Sequence, residues 1–394
     1  MSARISTDLP IEPLIPEILG ALGTAPNLVL EAPPGAGKTT RVPLALLDAD
    51  WAKGGKIIVL EPRRLAARGA AARMAVMLDE EVGETVGYRV RLDRKIGRKT
   101  RIEVVTTGLF LRQLQNDPGL AGTAAILFDE FHERTIEGDM ALAFALEAQA
   151  ALRGDLRLLV MSATLDGEHA AQRIPGARRL RSDGRAFPVA THHLGDDPNA
   201  RLEDRVAGAV RRALAEESGD ILVFLPGTGE IRRAERSVAQ LDVARDCAIL
   251  PLYGDLPLAE QDRAVKRDPQ GRRKIILATS IAETSLTIDG VRVVVDSGLK
   301  RSPRFDPASG MSRLETIRAS LAATTQRRGR AGRTQPGVCY RLWSGASERA
   351  LPAFDAPEIE ATDLAPLALE LSVWGIADPA TLMLLTSPPA ASLS

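Results

Sequence analysis

The sequence has little cysteine and few aromatic residues. Its 394 residues include 2 cysteines, and only 4% are aromatic. Cys247 and Cys339 lie far apart and form no Cys-x-x-Cys pair, which argues against a disulfide framework and against a cysteine-bound zinc site. So few aromatic side chains leave alanine, leucine, valine and isoleucine to build the core. A reducing, cytoplasmic location is therefore expected.

The sequence also lacks a long apolar run and an excess of one charge. The longest apolar run, Met140 to Leu152, is too short to span a bilayer and contains Glu147 and Gln149. The first ten residues carry no apolar signal core. Lysine plus arginine equals aspartate plus glutamate, at 51 each, so any binding of nucleic acid requires a local basic patch.

Apolar, β-branched runs alternate with helical stretches, which predicts parallel sheets covered by helices and therefore an α/β fold. A turn-rich stretch at residues 183–200 divides the pattern, and a sequence of this length has room for two or three domains. We expect a first domain at 1–188, a second at 189–345 and a helical piece at 346–394. The predicted strands lie at 28–30, 56–60, 102–105, 125–128, 156–161, 220–225, 248–250, 274–278 and 291–296.

A glycine-rich loop between a predicted strand and a predicted helix indicates a phosphate site. Backbone N–H groups at such a turn receive phosphate, Lys38 reaches the β and γ phosphates, and the Thr39 hydroxyl ligates Mg²⁺. Ala32 departs from the strict pattern, which has glycine there, and an ordinary glycine-rich turn is the alternative. The residues predicted to bind nucleotide here are Gly35, Ala36, Gly37, Lys38, Thr39 and Thr40.

Two carboxylates follow the apolar run that ends at Phe128, at the sheet edge where ligands bind. With Thr39, Asp129 and Glu130 form the predicted Mg²⁺ site. Asp129 is expected to hold the ion, and Glu130 to polarise the water that attacks the γ-phosphate. The alternative is an acidic helix start in which Asp129 is the cap and Glu133 completes a capping box.

Residues 326–333 carry four arginines, which is denser than a surface helix requires. A solvated basic face is the alternative. Arg330 and Arg333 are three residues apart and so predicted to share a helical face, from which they would act as arginine fingers on the γ-phosphate. Because they belong to the second predicted domain and Lys38 to the first, hydrolysis would require the domains to close.

Taken together, these residues resemble the DEAH/RHA family of superfamily 2 helicases, and within it the bacterial HrpB type. Motif II reads Asp-Glu-Phe-His at 129–132, where most of the family has Asp-Glu-Ala-His. Further family motifs occur at 61–64, 106–108, 162–164, 223–227 and 278–288, so the resemblance covers roughly residues 8–390. It implies two tandem RecA-like domains that hydrolyse ATP, and other NTPs, with Mg²⁺.

The resemblance also implies roles by position. Arg73 and Asp289 would contact the nucleotide, and Leu299 stands where the family often has a phenylalanine opposite Arg73, so weak base selectivity is expected. Gln326 would face the attacking water. His132, Ser162 and Thr164 would couple the nucleotide site to the strand site. The residues that would grip the backbone of a single strand without reading its sequence are Arg63, Arg64, Thr106, Gly108, Thr279 and Ser280.

The turn-rich segment Asp306–Gly310 predicts a hairpin near 296–317, where the family has one that helps to separate strands. The last helical piece resembles the start of a winged-helix-like domain, so the sequence is expected to be truncated at its C-terminal end. We predict a monomeric ATP-dependent helicase or translocase that moves 3′ to 5′ on single-stranded RNA, away from membranes, with a protein cofactor among its partners. The alternatives are a DNA translocase and a module that binds nucleotide and strand without turnover.

Overall fold

The computed structural model of the chain describes residues 9–163, 167–184, 187–283, 288–306 and 309–389, without the side chains of 167–169. These residues form two compact units. One contains residues 9–184 and 356–389, and the other contains 187–306 and 311–355. Each unit is built on a largely parallel sheet, so the predicted α/β class is confirmed. The predicted domain limits stay predictions.

The first unit contains a single sheet in which all neighbouring strands are parallel except β3 and β4. Its strands are β1 (Asn27–Glu31), β2 (Lys56–Glu61), β3 (Val86–Val90), β4 (Asp93–Lys95), β5 (Ile102–Thr106), β6 (Thr123–Phe128), β7 (Arg157–Ser162) and β8 (Arg178–Arg181). Their order across the sheet is β4-β3-β5-β2-β6-β7-β1-β8. The β3–β4 hairpin and β8 were not predicted, because glycine and charged residues interrupt their apolar pattern.

The second unit contains a six-stranded parallel sheet and a separate antiparallel hairpin. The sheet strands are β9 (Val189–His193), β10 (Asp220–Phe224), β11 (Ala248–Leu252), β12 (Lys274–Ala278) and β13 (Val291–Asp296), together with β16 (Gly337–Arg341). The hairpin pairs β14 (Leu299–Asp306) with β15 (Met311–Arg318). The sheet order is β11-β12-β10-β13-β16-β9. The edge strand β9 and its neighbour β16 had no strong sequence signal.

Helices cover both sheets. Those of the first unit's N-terminal part are α1 (Ile15–Thr24), α2 (Lys38–Leu46), α3 (Arg64–Met77), α4 (Thr107–Asn116), α5 (Ile136–Ala151) and α6 (Gly167–Arg173). Those of the second unit are α7 (Leu202–Glu216), α8 (Thr228–Ala239), α9 (Leu258–Val265), α10 (Leu321–Gly329) and α11 (Gly345–Arg349). The last helix, α12 (Ala365–Trp374), belongs to the first unit. None of the helices in the described ranges has the length and apolar content that a bilayer crossing needs.

Alternate residues of the first sheet's strands face two separate hydrophobic clusters. In β2, Ile58 and Leu60 pack in the cluster that contains α4 and α5, whereas Ile57 and Val59 pack in the one that contains α1, α2 and α3. This division follows from the period of two along a strand, which sends successive side chains to opposite faces. The carboxyl ends of β1, β2, β5, β6 and β7 therefore meet at one edge, held between two packed layers of helices.

The apolar run in α5 is explained by burial on several sides. Its residues Met140 to Leu146 are buried, and α12 adds Leu367 and Leu371 to the same cluster. Trp374 stacks on Phe144 with ring centroids 4.5 Å apart, and its indole N–H donates to Glu147 over 2.6 Å. The predicted C-terminal helix is therefore present, and it packs on α5 of the first unit.

Candidate active site

The glycine-rich loop joins β1 to α2, as the sequence predicted. Gly35 (φ 84°) and Gly37 (φ 101°) adopt left-handed backbone conformations, which glycine enters without a Cβ clash. The Ala36 N–H donates to the Pro33 carbonyl over 3.1 Å, which closes the turn. The first N–H groups of α2 have no partner within the helix. Loop and helix start together form a backbone cradle suited to an anion.

Lys38, the first residue of α2, is buried between two carboxylates. Its Nζ lies 3.1 Å from Glu130 Oε1 and 3.2 Å from Asp129 Oδ1. Burial opposes the charge on Lys38, but Asp129 and Glu130 together outweigh burial and raise the pKa of its ammonium group. The loop therefore holds a permanent buried cation beside the phosphate cradle.

Asp129 contacts the same loop through its other oxygen. Its Oδ2 accepts a short hydrogen bond from the Thr39 hydroxyl, and its Oδ1 accepts from the Glu130 N–H over 2.8 Å. Burial raises the pKa of Asp129, although Lys38 opposes that shift. The helix-cap alternative is wrong, because residues 131–133 form only a single 3-10 turn and Thr135 caps α5 by accepting from the Gly138 N–H over 3.1 Å.

Glu130 stands out by its backbone conformation. It has a φ of 50°, in the left-handed region that side-chain-bearing residues seldom adopt. Such strain persists only where the surrounding structure over-determines it, and it concentrates at functional sites. Here it turns the backbone sharply after β6, so that Asp129 and Glu130 both reach Lys38. This turn is therefore the centre of the candidate site.

The donor set of this site fits Mg²⁺. A hydroxyl from Thr39 and carboxylates from Asp129 and Glu130 lie together, and all are hard oxygen donors. Mg²⁺ usually takes one or two protein carboxylates and completes its shell with water and substrate phosphates. In the described ranges no group of three or more His, Cys, Asp or Glu is arranged to hold a metal ion alone. Thr39, Asp129 and Glu130 are the residues that would hold the ion, with water and a bound phosphate as its other ligands.

Glu61 is a third carboxylate near this site that sequence reasoning missed. It ends β2, is fully buried, and neither of its carboxyl oxygens has a hydrogen-bond partner among the described residues. Burial raises its pKa well above the usual value, and the charges of Asp129 and Glu130 raise it further. The available signal was its place: an acidic residue at the carboxyl end of a strand next to β6.

The ends of β6 and β7 are linked through His132. Its Nδ1 accepts from the Ala163 N–H over 3.4 Å and lies 3.5 Å from Glu130 Oε2. Ser162 is buried, and its carbonyl accepts from the Ala32 N–H over 2.9 Å, which ties β7 to the phosphate loop. The structure thus brings His132 and Ser162 to the site, whereas Thr164 lies outside the described residues.

The predicted strand-gripping residues of the first unit lie beside this site. Thr106 ends β5 directly opposite Glu61 at the end of β2, and Arg63 and Arg64 follow that strand. Arg64 is exposed, while the Arg63 guanidinium donates to Glu133 over 3.1 Å. Gly108 lies in α4, where an added Cβ would stand 3.1 Å from the Glu137 carboxylate. Two arginines and a helix start therefore share one edge of the sheet.

The second unit has its own polar pocket at the end of β12. Thr279 and Ser280 line it together with Tyr253, Lys300 and Arg301. Lys300 pairs with Asp355 at 2.7 Å, and Arg301 lies 3.3 Å from Glu230. Sequence reasoning assigned Thr279 and Ser280, but it missed Tyr253 and treated the two cations only as part of the hairpin, because they come from distant segments.

The arginine-rich segment contains both buried and half-buried side chains. The expected helix ends early: α10 stops at Gly329, and Arg330 begins a 3-10 turn, in which residues three apart still align. Gln326 and Arg330 are buried, and the Arg330 Nε donates to the Glu283 carbonyl over 2.9 Å. Arg333, which follows the turn, is half-buried.

Arg327 is an internal residue that sequence reasoning counted only as part of the cluster. It is 1% exposed, lies over the Phe224 ring, and pairs with Asp296 at 2.9 Å and with Glu283 at 3.1 Å. Burial opposes its charge, yet both carboxylates together raise its pKa. The solvated-face alternative is therefore wrong for Arg327, which joins α10 to the end of β13.

Comparisons with known proteins agree with this geometry. A DEAD/DEAH box helicase model matches residues 13–172, and a helicase conserved C-terminal domain model matches 205–335. The chain is 48% identical over 387 residues to the ATP-dependent RNA helicase HrpB of Escherichia coli (strain K12), covering 98% of this chain and 48% of the relative. It superposes on a crystal structure of the E. coli DEAH/RHA helicase HrpB with a TM-score of 0.90, at 48% identity. The chain belongs to the DEAH/RHA helicase family.

This DEAH/RHA chain spans about half the length of the HrpB relatives it matches. The structural match to HrpB covers 98% of this chain and 49% of the other. A second crystal structure, described as the E. coli DExH-box NTPase HrpB, gives a TM-score of 0.86 at 47% identity, covering 99% and 48%. The ATP-dependent RNA helicase HrpA homolog of Haemophilus influenzae is 34% identical over 373 residues, which is 94% of this chain and 28% of that protein. The predicted HrpB-type membership and the two RecA-like sheets are confirmed.

The contacts of three residues assigned through the DEAH/RHA resemblance do not by themselves indicate a nucleotide site. Arg73 is exposed on α3, and Asp289 is exposed in the turn before β13, where its N–H donates to the Val265 carbonyl over 3.3 Å. Leu299 begins β14, and its carbonyl accepts from Arg327 over 3.2 Å. Their roles toward a nucleotide base stay predictions.

Proposed function

We propose that this chain hydrolyses ATP with Mg²⁺ and couples hydrolysis to 3′-to-5′ movement along single-stranded RNA. The observation that carries the proposal is the buried group of Lys38, Asp129 and Glu130 at the end of a phosphate-type loop. Relatives named as ATP-dependent RNA helicases support the choice of ATP and RNA. These three residues lie within one unit. The proposal extends from them to the whole cycle of ATP hydrolysis and movement along the strand.

In the proposed reaction Lys38 exchanges partners. Its ammonium, now held by two carboxylates, would turn to the β and γ phosphates when they enter the backbone cradle. Thr39 and Asp129 would hold a bound Mg²⁺, which would supply positive charge to neutralise the phosphates. That exchange frees the Glu130 carboxylate to accept a proton from water. The water oxygen forms the new bond to the γ phosphorus, and the β–γ bond breaks to leave ADP.

The remaining roles are proposed from position. Gln326 would orient the attacking water, and Arg330 and Arg333 would stabilise charge on the transferred phosphoryl group. His132 and Ser162 would relay the state of the nucleotide to Arg63, Arg64, Thr106 and Gly108, which lie at or just after the ends of β2 and β5. Thr279 and Ser280, beside the cations of their pocket, would hold the strand in the second unit.

The deciding experiment is steady-state ATP hydrolysis with Mg²⁺, with and without single-stranded RNA, over a salt titration. Turnover that rises with RNA, and a stimulation that weakens with salt, would support the proposal, since phosphate contacts release counterions. Equal or stronger stimulation by single-stranded DNA would favour a DNA translocase. Nucleotide binding without turnover would favour a binding module. Lys38→Ala is the control, and it should lose both binding and turnover.

Several expectations from the sequence accompany this proposal. The direction of movement is measured with duplexes that carry a single-stranded tail at either the 3′ or the 5′ end. Only the 3′-tailed duplex should be unwound. The use of other NTPs is tested by measuring hydrolysis with each of the four nucleotides. A monomeric state, a protein cofactor and a cytoplasmic location stay predictions.

A further inference from the structure

The residues before α1 pack directly on the phosphate loop. Residues 9–12, which we call the loop brace, contact residues 36–41 in three ways. The Ile11 N–H donates to the Ala36 carbonyl over 3.0 Å, and Glu12 pairs with Arg41 at 2.6 Å. The side chains of Leu9 and Ile11 cover Gly37. A main-chain bond, an ion pair and an apolar contact thus hold one loop from outside.

The main-chain bond acts on the peptide that carries a cradle N–H. In a trans peptide the carbonyl and the following N–H point in opposite directions. The Ile11 N–H holds the Ala36 carbonyl on the side of the brace, so the Gly37 N–H of the same peptide points to the other side. Gly37 is the residue that precedes α2, where backbone N–H groups converge on an anion.

The apolar contact removes the space into which this peptide could rotate. An added Cβ on Gly37 would stand 2.9 Å from Leu9 Cδ1 and 3.1 Å from Ile11 Cγ2. Ile11 is fully buried and belongs to the same hydrophobic cluster as Ala36. This peptide is followed by Gly37, whose φ of 101° lies in a region that glycine enters and leaves without a Cβ clash, so the peptide would otherwise flip easily. Here the packed side chains of the brace oppose such a flip.

We propose that Ile11, through its backbone N–H, is a positioning residue that orients the Ala36–Gly37 peptide and thereby sets the affinity of the loop for nucleotide phosphates. Leu9 reinforces this orientation by covering Gly37, and the Glu12–Arg41 pair fixes the brace to α2. The inference rests on the proposed function, because it names how the same phosphate site is kept ready. It predicts a uniform loss of nucleotide binding when the brace is weakened.

The sharpest test replaces the Ile11 amide by an ester. Incorporating the α-hydroxy acid with the isoleucine side chain turns the N–H into an oxygen and leaves the buried side chain in place. We expect the Kd for ADP to rise about 10-fold, equivalent to about 1.4 kcal/mol. The KM for ATP should rise by a similar factor with kcat within twofold, since ground state and transition state lose the same contact.

The matched control is the same ester at Leu14. The Leu14 N–H donates to the Ile11 carbonyl, also over 3.0 Å, so this ester removes an equal bond at the end of the brace without touching the loop. We expect the Kd for ADP to stay within twofold of the unmodified protein, and the Tm to fall by a similar amount in both esters. Equal losses of affinity in the two esters would reduce Ile11 to a folding role and overturn the inference.

A second comparison uses ordinary substitutions. Leu9 and Leu14 are both half-buried leucines against the same hydrophobic cluster, but only Leu9 contacts Gly37. Leu9→Ala should raise the Kd for ADP several-fold, and Leu14→Ala should not. The unmodified protein should bind ADP, and Lys38→Ala should abolish that binding. If the Kd for ADP is then unchanged in both the Ile11 ester and Leu9→Ala, the inference about the brace is contradicted and the proposed function is not. An unmodified protein that binds no ADP would instead contradict the proposed function.

Discussion

Glu358 and Arg134 are joined through the main chain, since the Glu358 N–H donates to the Arg134 carbonyl over 3.0 Å. The Glu358 carboxylate also accepts from the Ile136 N–H over 2.9 Å, at the start of α5. Arg134 has a φ of 46° and donates to Asp139 and, over 2.8 Å, to Thr386. Arg134 is the second residue with a positive φ after β6, following Glu130. The C-terminal part of the first unit therefore holds the backbone at this turn.

Glu358→Ala is expected to lower the stability of the first unit by about 1–2 kcal/mol, because it leaves the Ile136 N–H without its acceptor. Urea unfolding followed by circular dichroism measures this change. Glu360→Ala is the matched control, since Glu360 lies in the same 3-10 turn and is exposed. Equal unfolding midpoints for the two variants would remove Glu358 from the support of this turn.

Glu130→Gln should abolish turnover and leave nucleotide binding largely intact. The amide keeps an oxygen that can accept from Lys38, now 3.1 Å away, but it cannot take a proton from the attacking water. Loss of a general base lowers kcat by about 10²–10⁴-fold. Single-turnover hydrolysis and ADP titration measure the two effects separately. Turnover at the wild-type rate would rule out Glu130 as the base.

Arg333→Ala should slow hydrolysis by about 10³-fold or more, as loss of an arginine finger does. The half-buried position of Arg333, after the 3-10 turn, predicts little change in folding. The measurements are kcat at saturating ATP and the Tm. A large fall in Tm with an unchanged kcat would assign Arg333 to the structure of the second unit and not to chemistry.

Arg327→Met should destabilise the second unit by about 3–5 kcal/mol, because it leaves the carboxylates of Asp296 and Glu283 without their buried cation. Guanidinium unfolding of the protein gives the loss. Arg328→Met is the control, since Arg328 is the neighbouring half-buried arginine and has no ion pair among the described residues. A loss below about 1 kcal/mol for Arg327→Met would contradict the internal role.

The buried Glu61 predicts a loss of stability as pH rises. Its pKa is raised well above 4.5, chiefly by burial, so above 4.5 the folded protein keeps a proton that the unfolded protein releases. Its contribution is therefore most favourable below pH 4.5, and it declines as pH rises through the raised folded pKa. Each tenfold change in the acid dissociation constant of Glu61 on folding corresponds to about 1.4 kcal/mol.

Glu61→Gln stays neutral and should therefore be more stable than the natural protein at pH 8, with the gain shrinking toward pH 4.5. Unfolding free energies over this pH range, without nucleotide or metal, measure the difference. Glu17→Gln, an exposed position on α1, provides the reference. A gain that does not change with pH would show that ionisation of Glu61 is not its cause.

The strands and the phosphate loop could be predicted because their signals are local. The run at 274–278 predicts β12 with its limits unchanged, since a short run that contains two isoleucines and a leucine favours a buried strand. The β3–β4 hairpin could not be predicted in this way, because its residues 91–95 are mostly charged and its pairing depends on the neighbouring β5. The burial of Glu61 and the ion pairs of Arg327 likewise depend on residues that are distant in sequence.

By itself, the sequence determined the chemistry that neighbouring residues carry: a glycine-rich turn before Lys38, two carboxylates after an apolar strand, and a dense arginine segment. These follow from local backbone conformation and side-chain type. Only the tertiary structure decided that Lys38 lies between Asp129 and Glu130, that Arg327 is internal while Arg333 is half-buried, and that residues 9–12 contact the phosphate loop. The reason is that parallel strands bring together ends that are separated by whole helices, and burial then selects which charges can be paired.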